Sequence, residues 1–163
     1  MTITSLLTGA AVAVAARAAV PALIRAKLNG DVVRLGRGDY GPLLAGYAED
    51  ATLHFHEGDH RWEGTYRGKA AIEVFLKNFV AAGLTGEIGR VWVSGPPWAM
   101  EMCVRFDDAA HAPTGEQIYA NRTVLWVRTR WGRIVEQRDF YEDTQRILDL
   151  DARLTEMGVP AIA

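Results

Sequence analysis

The stretch from Gly86 to Asp143 constrains the fold more than any other. It holds four runs, GEIGRVWVSG, WAMEMCVRFDD, EQIYANRTVLWVRT and RIVEQRDFYED, in which side-chain character alternates. A period of two marks β-strands. The breaks are a Pro-Pro pair, the loop HAPTG and the turn RTRWGR. Connections this short join antiparallel neighbours. Side chains two apart share a strand face. Met100, Met102, Val104 and Phe106 therefore share one face, and Glu101, Cys103, Arg105 and Asp107 the other. On the last strand Val135, Gln137, Asp139 and Tyr141 fall together.

Ahead of these strands the period is helical. Leu23, Leu28, Val32 and Leu35 recur near helical spacing, and Pro21 is expected to start or kink a helix running to about Gly36. A short helix is expected from about Tyr40, and ATLHFHE alternates as a strand. From about Lys69 a helix places Ile72, Phe75, Leu76 and Phe79 on one side, and Gly83 ends it. A last helix is expected over about 144–157. Helices first and long antiparallel strands later give an α+β domain with helices packed on one face of a curved sheet.

Composition narrows the class. The chain has 163 residues, 49% of them hydrophobic, with a formal net charge of −2, which suits one globular domain and offers no basic field for nucleic acid. The single cysteine, Cys103, permits no internal disulfide and is expected as a small buried hydrophobe in a reducing compartment. Residues 1–20 are read as an apolar arm or helix on a domain of residues 21–163. The run before Arg17 lacks the charged leader of a signal peptide and is too short to span a bilayer, so a cytoplasmic protein without stable membrane insertion is expected.

Two phrases carry a family resemblance. RGDYGPLLAGYAEDATLHF joins a Gly-Asp break, a short helix and an acidic turn into a strand, and GTYRGKAAIEVFL enters a helix through Tyr-x-Gly. In this element order the chain resembles the nuclear transport factor 2-like superfamily and, within it, the SnoaL-like proteins, over residues 22–157. The resemblance implies a cone-shaped, strongly curved, mostly antiparallel sheet with helices on its concave face. It also implies a deep hydrophobic pocket for a small lipophilic substrate and a homodimer.

The strands carry a second resemblance. RFD, then PTGEQ, then GRIVEQRDFYED is similar to limonene-epoxide hydrolases. That likeness implies a triad in which Asp139 activates water, Asp107 protonates the epoxide oxygen and Arg105 bridges the two, without a cofactor. Taking the turn centres as pivots sets Arg105 and Asp139 roughly level, with Asn121, Arg122 or Thr123 between. Strands two apart lie about 9.6 Å apart. A shared Arg and unequal burial would let two carboxylates hold different protonation states at one pH.

Other residues are expected to position substrate or water. His54 and His56 stand where that family holds its water with Tyr and Asn, and Asn121, Tyr141 and Trp62 are further candidates. His54, His56 and His60 suggest a metal cluster, but no third ligand is evident and no metal is expected. The catalytic Asp and Tyr of ketosteroid isomerase would fall near Phe55 and Asp31, so that activity is not expected. Trp62, Trp92, Trp98, Trp126 and Tyr119 line either a pocket or the core. Three readings follow: a triad epoxide hydrolase; a SnoaL-like isomerase, cyclase or dehydratase using one pocket Asp or His; and a non-catalytic ligand-binding or dimerisation domain. A pocket Asp with Arg105 facing outward distinguishes the second.

Overall fold

The computed structural model describes residues 3–163, with side chains described from residue 19 onward. A long helix α1 (Ile3–Leu35) is followed by α2 (Gly41–Gly46), β1 (Tyr47–His54) and β2 (Thr65–Arg67). Helix α3 (Lys69–Ala81) leads into β3 (Leu84–Ser94), β4 (Glu101–His111), β5 (Gln117–Arg130) and β6 (Arg133–Tyr141), and α4 (Gln145–Glu156) follows. The six strands form one sheet in the order β2-β1-β6-β5-β4-β3. All pairings are antiparallel except β1 with β6. The sheet does not close, and its helices cover the concave face.

The expected α3 face packs as a unit: Ile72, Phe75, Leu76 and Phe79 are all buried. Burial of each such side chain contributes roughly 1.5–3 kcal/mol before conformational entropy is charged. Gly83, at φ 65°, takes the left-handed turn into β3 that a side chain would resist.

Helix α1 reaches β3 at Ile88, whose C=O accepts from Arg25 Nε at 3.0 Å. Asn29 accepts from the Ile88 N–H at 2.9 Å and donates to its C=O at 3.4 Å. This lies where β3 bulges between Ile88 and Val91, so Asn29 supplies partners for backbone groups at the break in the β4 ladder.

Some boundaries differ from the sequence-based expectation. Pro21 lies inside α1, because the helix begins well before it. The packing expected of an arm over residues 1–20 falls on side chains up to 18, outside the described residues. Strand β1 starts at Tyr47 and stops at His54, which leaves His56 in a loop. Cys103 is only partly buried, because it sits on the outer face of β4 between Trp92 and Trp126. Among the described residues no helix is long and apolar enough to cross a membrane.

Candidate active site

The register sorts the candidate side chains of β4, β5 and β6 onto one of two faces. Across the inner face the rows read Met102–Val127–Gln137, Val104–Leu125–Asp139 and Phe106–Thr123–Tyr141, with Asp108 opposite Asn121 beyond them. Across the outer face they read Cys103–Trp126–Arg138 and Arg105–Val124–Phe140, with Asp107 opposite Arg122. Inner-face residues of β4 are buried, whereas Arg105 and Asp107 are half exposed.

This corrects the expected triad. Arg105 is level with Phe140, not with Asp139, one residue from the pairing expected of the turn centres. A shift of one residue turns a side chain to the other face. Arg105 donates to Asp107 through two bonds, at 3.1 and 2.8 Å, and Arg122 adds a third at 3.0 Å. These guanidinium contacts hold the Asp107 carboxyl below its ordinary range. Asp107 is thus an anion in an outer-face ion pair, and the sheet separates it from Asp139.

The inner face borders an interior cavity of about 100 Å³. Its walls are apolar side chains of α1, α2, α3 and β3–β6, among them Val32, Leu43, Phe79, Ile88, Phe106 and Leu125. Four polar residues interrupt them: Tyr47, Gln137, Asp139 and Tyr141. The Tyr47 hydroxyl donates to Gln137 Oε1 at 2.6 Å, and Gln137 Nε2 donates to Asp139 Oδ1 at 2.8 Å. The Gln137 amide is thereby oriented from both ends, and it presents Asp139 to the cavity.

Asp139 titrates abnormally for a stated reason. Burial among apolar side chains pushes its carboxyl up to about 7, and the nearby Asp108 carboxyl adds to the shift. The bond from Gln137 opposes it. A carboxyl poised near neutrality can both take and return a proton. Burial likewise drives the Tyr141 phenol well above its usual range, so it stays protonated as a donor.

Asp108 was missed on the sequence. It is 2% exposed, receives the Tyr119 hydroxyl at 2.9 Å and the Thr123 hydroxyl at 3.3 Å, and burial raises it to about 6. The signal was available: continuing the apolar face of β4 by one step beyond Phe106 reaches Asp108.

The remaining candidates do not line this cavity, although His54 and His56 border a second, more open pocket with Asp139 and Tyr141. His54 is on the outer side of β1, with Nδ1 3.0 Å from Thr65 Oγ1 and Nε2 4.0 Å from Glu136. His56 stacks on His60 in the loop after β1, with centroids 5.8 Å apart. Trp62 is a core residue, 1% exposed, and does not border the cavity. Asn121 faces inward but donates to the Asp143 carbonyl at 2.6 Å, tying β5 to the end of β6. Among the described residues no three His, Cys, Asp or Glu side chains gather as a metal-ligand set. Phe55 is buried and apolar, and Asp31 is paired with Lys27 on α1, so neither forms an acid–base site in the cone.

Fold and site together define an open α+β cone of the nuclear transport factor 2 type, with an acid group set in an apolar cavity. More narrowly, the chain belongs to the SnoaL-like domain family, whose pattern matches residues 32–137. Similar structures include TerC co-crystallised with polyporic acid, at 20% identity and a TM-score of 0.64, covering 79% of this chain and 97% of that one. A nuclear transport factor 2-like protein from Burkholderia pseudomallei is 22% identical with a TM-score of 0.59, over 76% of this chain and 96% of that one. A putative isomerase from Rhodopseudomonas palustris is 16% identical with a TM-score of 0.55, over 78% and 94%. At these identities the likeness concerns the fold. Comparison with curated protein sequences gives no match.

Proposed function

We propose that the protein is an acid–base enzyme acting on a small lipophilic substrate in the cone: an isomerase, cyclase or dehydratase in which Asp139 accepts a proton from carbon. The observation that carries this reading is Asp139 itself, a carboxyl raised to about 7, oriented by Gln137 and opening onto an apolar cavity. Apolar walls exclude water and strengthen each electrostatic contact within. A substrate C–H set against Asp139 meets a base whose proton affinity suits neutral pH.

Water-activated epoxide opening by Arg105, Asp107 and Asp139 is not the reading this geometry supports. Its bridging cation and its acid lie across the sheet from its base.

The test is deuterium wash-in from D2O into 2-cyclohexenone, 2-indanone and 2-tetralone. It reports proton abstraction whatever the net reaction. Exchange by wild type that Asp139→Asn loses and Asp107→Asn keeps is expected. Equal exchange by Asp139→Asn removes Asp139 as the base. No exchange into any of the three ketones counts for a binding protein.

We further propose a second copy of the chain as partner, seated on the outer sheet face. Phe140 is 58% and Val124 37% exposed there, beside Trp92 and Trp126. Charges of both signs, Arg105, Arg122, Asp107 and Glu142, border them, which suits a self-complementary two-fold contact.

A further inference from the structure

We propose that Tyr141 is the proton donor of this site, and that Thr123 and Asp108 form the relay that recharges it. The proposal rests on Asp139 as the base and adds the acid half of the reaction.

Of the phenols on the inner face of β1, β5 and β6, two are committed to protein partners. Tyr47 donates to Gln137 and Tyr119 donates to Asp108. Tyr141 borders the cavity two residues from Asp139 on the same face of β6. The strand register puts Thr123 directly opposite Tyr141. Thr123 is fully buried, and its Oγ1 lies 3.3 Å from Asp108 Oδ1. The polar groups therefore run from the cavity inward as Tyr141, Thr123, Asp108 and Tyr119.

Asp108 is hard to explain as structure alone. Its contacts are two hydroxyls, and no cation stands among the groups that act on its carboxyl. An asparagine would accept from the same hydroxyls without placing an acid in the core. A carboxyl raised to about 6 is still partly protonated just below neutrality.

The step balances. Asp139 takes the proton from the substrate carbon. The Tyr141 O–H protonates the substrate oxygen, either the carbonyl of a forming enol or the hydroxyl departing as water. The Thr123 proton passes to the Tyr141 oxygen, and the Asp108 proton passes to Thr123. Asp108 is left as a carboxylate that accepts from Tyr119, and Asp139 is left protonated. One proton has crossed between the two acids, and the reverse transfer or solvent exchange resets the site. The substrate class is a compound with an acidic C–H beside a carbonyl or β-hydroxyl oxygen, its C–H toward Asp139 and its oxygen toward Tyr141.

The experiment is a cycle on 2-indanone exchange in D2O with Thr123→Val, Asp108→Asn and their double variant. Asp139→Asn, Tyr141→Phe and Thr123→Ser run alongside, and thermal unfolding checks each fold. Thr123→Val keeps the side-chain shape and breaks the relay. The expected result is a 10- to 100-fold loss in each single variant, no further loss in the double, and recovery of most of the rate in Thr123→Ser. Additive losses, or a Thr123→Val rate equal to wild type while Asp139→Asn is inactive, overturn the relay and leave the base in place. Wild-type exchange in Asp139→Asn, or none in wild type, overturns the base and the relay with it.

Discussion

Asp107 and Asp108 are covalent neighbours on β4 held by opposite chemistries on opposite sides of the sheet. Arg105 and Arg122 clasp the first outside, and the hydroxyls of Tyr119 and Thr123 hold the second inside. Their carboxyls shift in opposite directions: cations lower Asp107 and burial raises Asp108. A strand's alternation is enough to make one aspartate an ion-pair partner and its neighbour an acid.

The base works only when ionised. Asp139, raised to about 7, must be ionised while Asp108, raised to about 6, keeps its proton, so exchange is expected to peak between those values and fall on either side. A pH–rate profile of 2-indanone exchange checks this. A limb near pH 4 would mean that an ordinary exposed carboxylate does the work.

Stability should fall as pH rises across the same region. A carboxyl raised in the folded state contributes stability that is full below its unfolded value of 3.8 and is lost as pH rises through the folded value. For Asp108 and Asp139 that window runs from about pH 4 to pH 7. Each unit of difference corresponds to about 1.4 kcal/mol. Asp108→Asn is expected to gain on wild type at pH 8 relative to pH 5. Urea midpoints at the two pH values measure it, and a gap independent of pH would contradict the buried acid.

Gln137→Leu removes both bonds of the amide. The Tyr47 hydroxyl is left buried without a partner, at a cost of about 1–3 kcal/mol. Because the Gln137 bond lowers Asp139, its loss should move the maximum of the pH–rate profile to higher pH. Unfolding and rate measured on the same preparation separate the two effects.

Gly86→Ala probes the wall that sets the register. A Cβ at that position would stand 2.3 Å from the Asp107 carbonyl oxygen and 2.6 Å from the Phe106 ring. Backbone must move to admit it. A loss of about 3 kcal/mol or more is expected in thermal unfolding, typical of the severe class of single substitutions. Gly132→Ala, in an open turn at φ 75°, should cost less, through backbone strain alone.

Outer-face assembly is tested by light scattering. Phe140→Glu places a charge in the middle of the exposed apolar row and is expected to lower the mass to that of one chain. An unchanged dimer mass would move the contact elsewhere.

Much of the fold was legible because period and chemistry agreed. The α3 face, the four long strands and the grouping of Gln137, Asp139 and Tyr141 follow from spacing alone. The inward-facing carboxyl of Asp139 was legible for the same reason. Pairing across the sheet was not. Bulges shift the ladder at Ile88/Val91, Ala110/His111 and Arg128/Thr129, and turn centres do not reveal them. Arg105 was misplaced by one residue and so by a whole face. Trp62, which the structure buries in the core, was left between core and pocket because a large aromatic serves both equally well. The half-exposure of Cys103 depends on cross-strand tryptophans that no local pattern discloses.

Strand β6 has a consequence for how the molecule is made. It lies between β1 and β5 and pairs with β1 in parallel, joining residues more than eighty positions apart, as Leu53 with Gln137. Synthesis delivers β1 early and β6 late. Until Arg133–Tyr141 leaves the ribosome, β1 and β2 have no hydrogen-bonded path to β3, β4 and β5. The seam that joins the halves is the strand that bears Gln137, Asp139 and Tyr141, so the nascent chain acquires the polar groups of its cavity in the same event that completes its sheet.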